Sequence, residues 1–119
     1  MQIESRMSDQ VAAYLDLASM QAKLTAANMA NVDTPGYKAV AIDFEAEMRA
    51  AIAGSNAGLA PHAAHARLED GLIARPDGNN VSLDRESLNL AEAQLKFKTG
   101  VAILRQQNQM LMDAIHADR

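Results

Sequence analysis

His62 and His65 stand three residues apart in Pro61-His62-Ala63-Ala64-His65, a spacing that can set two imidazoles on one helical face to hold a metal ion. Their neighbours are alanine and proline. The chain has no cysteine, and no carboxylate set accompanies the pair, so the expectation is two solvated histidines and no metal site. His116 fits a helix end. Asp77-Gly78-Asn79-Asn80 has the flavour of a calcium loop, yet glycine does not hold the sixth position and no glutamate the twelfth, which leaves a turn. No glycine-rich phosphate loop follows a strand, and no serine comes with a base and an orienting acid. The expectation is therefore no catalytic residue, no cofactor and no enzyme. A small metal-dependent enzyme using His62 and His65 ranks last among the readings.

A denser polar cluster lies in Asn28-Met29-Ala30-Asn31-Val32-Asp33-Thr34-Pro35-Gly36-Tyr37-Lys38-Ala39. Pro35 fixes its own φ and pushes Thr34 out of the α region, while Gly36 can take the positive φ that a type II turn requires. Thr34 to Tyr37 thus reads as a tight turn. Asn28, Asn31 and Asp33 can hydrogen-bond helix-end or turn backbone groups that would otherwise lack partners. A bare helix stop does not need two amides, an acid, an aromatic ring and a lysine together.

The elements that position this cluster are two long helices. With 119 residues the chain allows one modest domain, and although 49% of it is hydrophobic, it holds only two Phe, two Tyr and no Trp. Small side chains bury little area each and suit close-packed helices better than a thick core. From about Ser8 to Asn31, Ala13, Leu17, Met20, Leu24 and Ala27 alternate spacings of four and three, and Met7, Val11, Tyr14 and Ala18 form an adjacent stripe. Towards the other end, Leu83, Ser87, Leu90, Gln94, Phe97, Val101, Leu104, Asn108, Leu111 and Ile115 make a heptad stripe. Gly100 falls inside it, where it permits close approach of another backbone.

Between the helices, Glu45 to Ala53 is helix-compatible, whereas Gly54 to Asn80 collects Gly54, Gly58, Gly71, Gly78, Pro61 and Pro76. That stretch reads as a loop with room for short strands. Residues 1–33 form an N-terminal helix, 34–44 the turn and its extension, 45–80 a short helix and flexible loop, and 81–119 the C-terminal heptad helix. The fold class is mainly all-α: an elongated, coiled-coil-like antiparallel pairing of 1–33 with 81–119 around an irregular middle loop.

A formal charge of −4, from 15 acidic and 11 basic residues without a basic cluster, argues against nucleic acid as a partner. No run of about 18 apolar residues exists, so no membrane-spanning segment is expected. Met1-Gln2-Ile3-Glu4-Ser5-Arg6 lacks a basic region followed by an apolar run, so no cleavable signal peptide is expected.

The Asn28 to Ala39 stretch resembles the N-terminal signature of bacterial flagellar rod, hook and hook-associated proteins, N-x-A-N-x-x-T-x-G-Y-K. Its continuation to Ile42-Asp43-Phe44, and the second block Asp77-Gly78-Asn79-Asn80-Val81-Ser82-Leu83-Asp84-Arg85-Glu86 leading to Phe97, narrow the resemblance to the basal-body rod proteins and their proximal members. The family usually has asparagine where Ala93 stands and Tyr-Gln where Phe97-Lys98 stands.

The resemblance implies a structural subunit of the flagellar proximal rod. Its terminal helices would pair, and copies would pack with one another and with other rod and basal-body proteins into a hollow drive-shaft. It also implies unfolded passage through the flagellar type III export apparatus without a cleaved signal peptide, and a working site in the periplasmic rod. Asn28, Asn31, Asp33, Thr34, Pro35, Gly36, Tyr37 and Lys38 would form an assembly junction, with Tyr37 and Lys38 touching an adjacent subunit. Leu17, Met20, Leu24, Leu90, Phe97, Val101, Leu104, Leu111 and Ile115 would form the helix-packing stripe. The rival reading is a cytoplasmic coiled-coil adaptor or flagellar export chaperone.

Overall fold

The computed structural model describes residues 2–117. In chain order it has helix α1 (Gln2–Ala30), strand β1 (Val40–Ala41), helix α2 (Phe44–Asn56), strand β2 (Arg67–Leu68) and helix α3 (Leu83–Ala117). The fold is mainly α, with the two long terminal helices packed against each other as expected. The strands pair antiparallel, Val40 with Leu68 and Ala41 with Arg67. The molecule measures 68 × 26 × 17 Å and has a radius of gyration of 18.1 Å. A compact chain of this length would have a radius near about 13.5 Å, so the shape is a rod. Among the described residues no helix is long and apolar enough to cross a membrane.

α1 starts before Ser8, because nothing between Gln2 and Met7 breaks a helix. It stops at Ala30, where the Asn31 side chain donates Nδ2–H to the Ala27 carbonyl at 2.8 Å. α2 is capped by Asp43, whose carboxylate accepts the Ala46 N–H at 3.1 Å. It continues past Ala53 through Gly54. The residue that ends it is Gly58, which takes φ +69° while its N–H bonds the Ser55 carbonyl.

The direction of the long pair follows from its contacts. Asn28 meets Glu86, Gln21 accepts from Lys96 at 3.2 Å, and Leu15 and Tyr14 meet Gly100. Numbers fall along α1 as they rise along α3, so the helices are antiparallel. The buried positions of α3 are Glu86, Ala93 and Gly100, seven residues apart; Glu86 meets Asn28 of α1, and Gly100 meets Tyr14 and Leu15.

This seam lies beside the expected heptad stripe rather than on it. Leu90 and Val101 are half-buried, but Phe97 is 45% exposed, Leu104 37%, Leu111 50% and Ile115 48%. On α1, Leu17 is buried while Met20 and Leu24 are half-buried. Close approach of two helices selects alanine and glycine at the contact line and leaves large side chains on its flanks. A stripe read from size therefore misses the line of contact by one residue.

Three helices meet at Phe44. Its ring stands edge-on to Tyr14 with centroids 5.4 Å apart, and the Lys96 ammonium sits 3.8 Å from its centroid. Lys96 also pairs with Glu92 at 2.8 Å.

Gly100 is approached by side chains, not by the backbone its place in the stripe suggested. A Cβ there would lie 2.6 Å from Leu15 Cδ2 and 3.1 Å from both Leu15 Cγ and Tyr14 Cδ1. Gly100→Ala gains about 1 kcal/mol of helix propensity and is expected to be near neutral, because the end of Leu15 can turn aside. Gly100→Val adds two more methyls against the same atoms and is expected to lose about 1–3 kcal/mol through overpacking, read as weaker hydrogen-exchange protection along the α1–α3 seam.

Candidate functional site

The polar residues at the end of α1 converge on one junction. Asn28 is 1% exposed in the last turns of α1, and its amide is fully used. Nδ2 donates to the Val40 carbonyl at 2.9 Å and to Glu86 Oε2 at 3.2 Å. Oδ1 accepts the Val40 N–H at 2.9 Å and the Tyr37 hydroxyl at 3.2 Å. One side chain thereby holds β1, the turn and the first turn of α3 against α1.

Glu86 has no exposed surface. Besides Asn28 it has the Arg85 guanidinium, with Nε 3.9 Å from Oε1, and Arg85 Nε lies 4.0 Å from Glu69 Oε2. Arg85 also donates Nη2–H to the Asn80 carbonyl at 3.1 Å. A buried carboxylate is tolerated only when donors or cations attend it; here Asn28 donates to Oε2, and Oε1 has the Arg85 guanidinium nearby but no hydrogen bond.

The second half of the junction is built on Asn79, also without exposed surface. Its Nδ2 donates to the carbonyls of Asn31 and Thr34, each at 2.8 Å, and its Oδ1 accepts the Val81 N–H at 2.8 Å. The backbones are stitched alongside. Gly36 N–H bonds the Asp77 carbonyl at 2.9 Å, Asn80 N–H bonds the Tyr37 carbonyl at 3.3 Å, and Asn80 Oδ1 accepts the Ala39 N–H at 2.6 Å. Arg75 donates to the carbonyls of Val32 and Val81. Two glycines with positive φ face each other, Gly36 at 76° and Gly78 at 87°, and a Cβ on Gly78 would lie 3.4 Å from Gly36 Cα.

Residues 28–40 and 75–86 therefore interlock as one polar clasp. Thr34 to Tyr37 forms the expected turn, closed by Tyr37 N–H to the Thr34 carbonyl at 3.2 Å, and Thr34 Oγ1 donates to Asn31 Oδ1 at 3.0 Å. Asp33 and Pro35 lie exposed on its outer side. Tyr37 and Lys38 both find partners within the chain. The Tyr37 hydroxyl is spent on Asn28, and the Lys38 ammonium on the Gly78 carbonyl of the same chain. The Gly78 carbonyl comes from the second loop, which folds over the turn, and the Asn28 acceptor comes from α1.

Asn79, Asn80, Arg75, Arg85 and Glu86 were not expected in the site. A sequence signal for them existed: a plain turn needs one amide, and Asn79-Asn80 supplies two immediately before a helix. Glu86 reads on sequence as an acid in a helix's first turn, favoured there by the helix dipole, and its burial is visible only in the structure. The expectation that no carboxylate accompanies the histidine pair also changes, because Glu47 of α2 reaches His62 at 2.6 Å and His65 at 3.6 Å.

The clasp has no nucleophile beside a base, so its chemistry is hydrogen bonding that fixes geometry. No family model matches the chain. It is 31% identical to the flagellar basal body rod protein FlgB of Salmonella typhimurium, over 85% of this chain and 86% of that one. It is 33% identical to FlgB of Yersinia ruckeri, over 85% and 87%, and 32% identical to FlgB of Cereibacter sphaeroides, over 87% and 89%.

Proposed function

This chain belongs to the FlgB family of flagellar basal body rod proteins, and from that membership we propose that it is a non-catalytic structural subunit of the proximal rod of the bacterial flagellum. It assembles with copies of itself and with other rod and basal-body proteins into a hollow shaft. It reaches that place in the periplasm through the flagellar type III export apparatus, without a cleaved signal peptide.

One observation carries this reading. Among the described residues the buried apolar side chains are Leu17, Ala18, Ala39, Val81 and Ala93, whereas Leu88, Leu95, Met110, Leu111, Met112 and Ile115 are each about half exposed or more. Exposed apolar surface of this extent along a rod supports side-by-side packing between subunits, which removes it from water at about 25 cal/mol per Å². The stripe of Leu90, Phe97, Val101, Leu104, Leu111 and Ile115 is then an intersubunit face, while Leu17 and Met20 pack towards α2 and the loop after it. The clasp fixes where the chain leaves α1 and enters α3, so every copy presents that face at one angle.

Sedimentation and circular dichroism of the purified chain test the proposal. At low concentration a partly helical, weakly cooperative monomer is expected, and raising the concentration or adding rod fractions should produce helical polymers. A soluble dimer of fixed size, indifferent to concentration, would favour the adaptor or chaperone instead. Gly36→Val places a β-branched residue at φ +76°, a strain of about 1–3 kcal/mol at the turn. Cells carrying it should lose motility; normal swimming would sink the junction's role in assembly.

A further inference from the structure

We propose that Glu47, His62 and His65 form a binding site for a zinc-class divalent transition metal that ties the loop after α2 back onto that helix. The proposal does not rest on rod assembly. Three donor atoms from these residues, one carboxylate oxygen and one ring nitrogen from each histidine, all lie within 4.8 Å of one another. Two ligands of one tetrahedral zinc ion, each about 2.0–2.1 Å from the metal, stand about 3.3–3.4 Å apart, so the donor atoms must draw together by up to about 1.5 Å, a movement that rotation of the exposed His65 side chain can supply. Two imidazoles with one carboxylate suit zinc, cobalt or nickel and are a poor match for calcium or magnesium, which take oxygen ligands.

The site is also held in place. The Glu47 side chain is only 13% exposed, and His62 is 27% exposed with its Nε2 2.6 Å from Glu47 Oε2. His65 Nδ1 lies 3.6 Å from the other carboxylate oxygen, and the two rings tilt at 60° with centroids 5.7 Å apart. Burial raises the Glu47 carboxyl pKa. The hydrogen bond from His62, the backbone hydrogen bond at His65 and the two imidazole charges outweigh this and hold it below its ordinary value. Ligation requires this carboxylate ionised and both imidazoles neutral, so metal binding competes with protons.

Without metal, His62 donates Nε2–H to the carboxylate. With metal, that nitrogen turns its lone pair to the ion, and a neutral ring keeps its one proton on Nδ1. The fourth coordination position falls to water.

Spacing explains the arrangement. The histidines are three residues apart, and Glu47 sits 15 residues before His62 in α2. The intervening turn at Gly58 folds the loop back over the helix. A cavity of about 550 Å³ lies under it, lined by Leu17, Met20, Ala51, Leu59 and Pro61 among others. A bound ion would cross-link α2 to the loop covering this cavity and reduce the loop's freedom before assembly.

The test uses the full chain, freed of metal with EDTA and titrated with Zn²⁺ by calorimetry, with Co²⁺ as a spectroscopic probe. One ion per chain is expected, with a visible d–d band for nitrogen- and oxygen-ligated Co²⁺. His65→Ala, at a 77% exposed side chain, should leave the helical dichroism unchanged and weaken zinc binding at least about tenfold. His62→Ala combined with His65→Ala should abolish stoichiometric binding, while His116→Ala should not alter it. Absence of stoichiometric binding in the unaltered chain, or undiminished affinity in the double variant, overturns the proposal.

Discussion

Replacing Asn79 with alanine is expected to open the clasp, with a loss of about 3–5 kcal/mol in the local stability that holds residues 75–86 to the end of α1. The substitution removes three hydrogen bonds at once, to the Asn31 and Thr34 carbonyls and from the Val81 N–H, at a position with no exposed surface. A satisfied hydrogen bond contributes about 1 kcal/mol, but a buried partner left alone costs about 1–3 kcal/mol, and here three backbone groups are left. Hydrogen exchange at the Val81 and Asn80 amides should accelerate by more than a hundredfold. Asn80→Ala is the control. It loses one side-chain acceptor, for the Ala39 N–H, at a half-buried position, so about 1 kcal/mol is expected. Equal effects of the two substitutions would show that Asn79 is not the centre of the clasp.

Asn28→Leu is expected to be as severe, about 3–5 kcal/mol, for a different reason. It strips the fully buried Glu86 carboxylate of its 3.2 Å donor and leaves the charge with only the edge of Arg85 at 3.9 Å, which is the situation that makes half of a buried pair so costly. It also frees Val40 N–H and its carbonyl, both held by the same amide. Removing the charge together with its partner should undo part of the damage. In a double-mutant cycle with Glu86→Met, the pair should be less destabilised than the sum of the singles by about 1–3 kcal/mol. Thermal melts and exchange at Val40 measure the four corners. Strict additivity would mean that Asn28 and Glu86 do not act together, and the buried network would then be no more than a packing arrangement.

Much of this molecule was legible in its residues, and the unread part has a common cause. The absence of Pro and Gly before Asn31 marked α1, Pro35 and Gly36 marked the turn, and the alternating fours and threes after Leu83 marked α3. These are local rules of backbone sterics and periodicity, and they act on the chain wherever it folds. The seam was misplaced by one residue because size, which a reader sees, is not what closely approaching helices select. They select Ala93 and Gly100, and the large residues remain on the flanks. The burial of Glu86 was not legible either, because burial depends on what arrives from elsewhere in the chain.

The residues by themselves thus determined two long helices, a glycine-closed turn and a chain too poor in large side chains to bury much alone. Only the tertiary structure decided that Asn28 and Glu86, 58 residues apart, share a buried hydrogen bond, that Asn79 ties the loop before α3 to the Asn31 and Thr34 carbonyls, and that Glu47 faces His62 and His65. Backbone preferences are written residue by residue. The partners of a buried amide or carboxylate are fixed by antiparallel docking of α1 on α3, and desolvation then makes each of those partners obligatory.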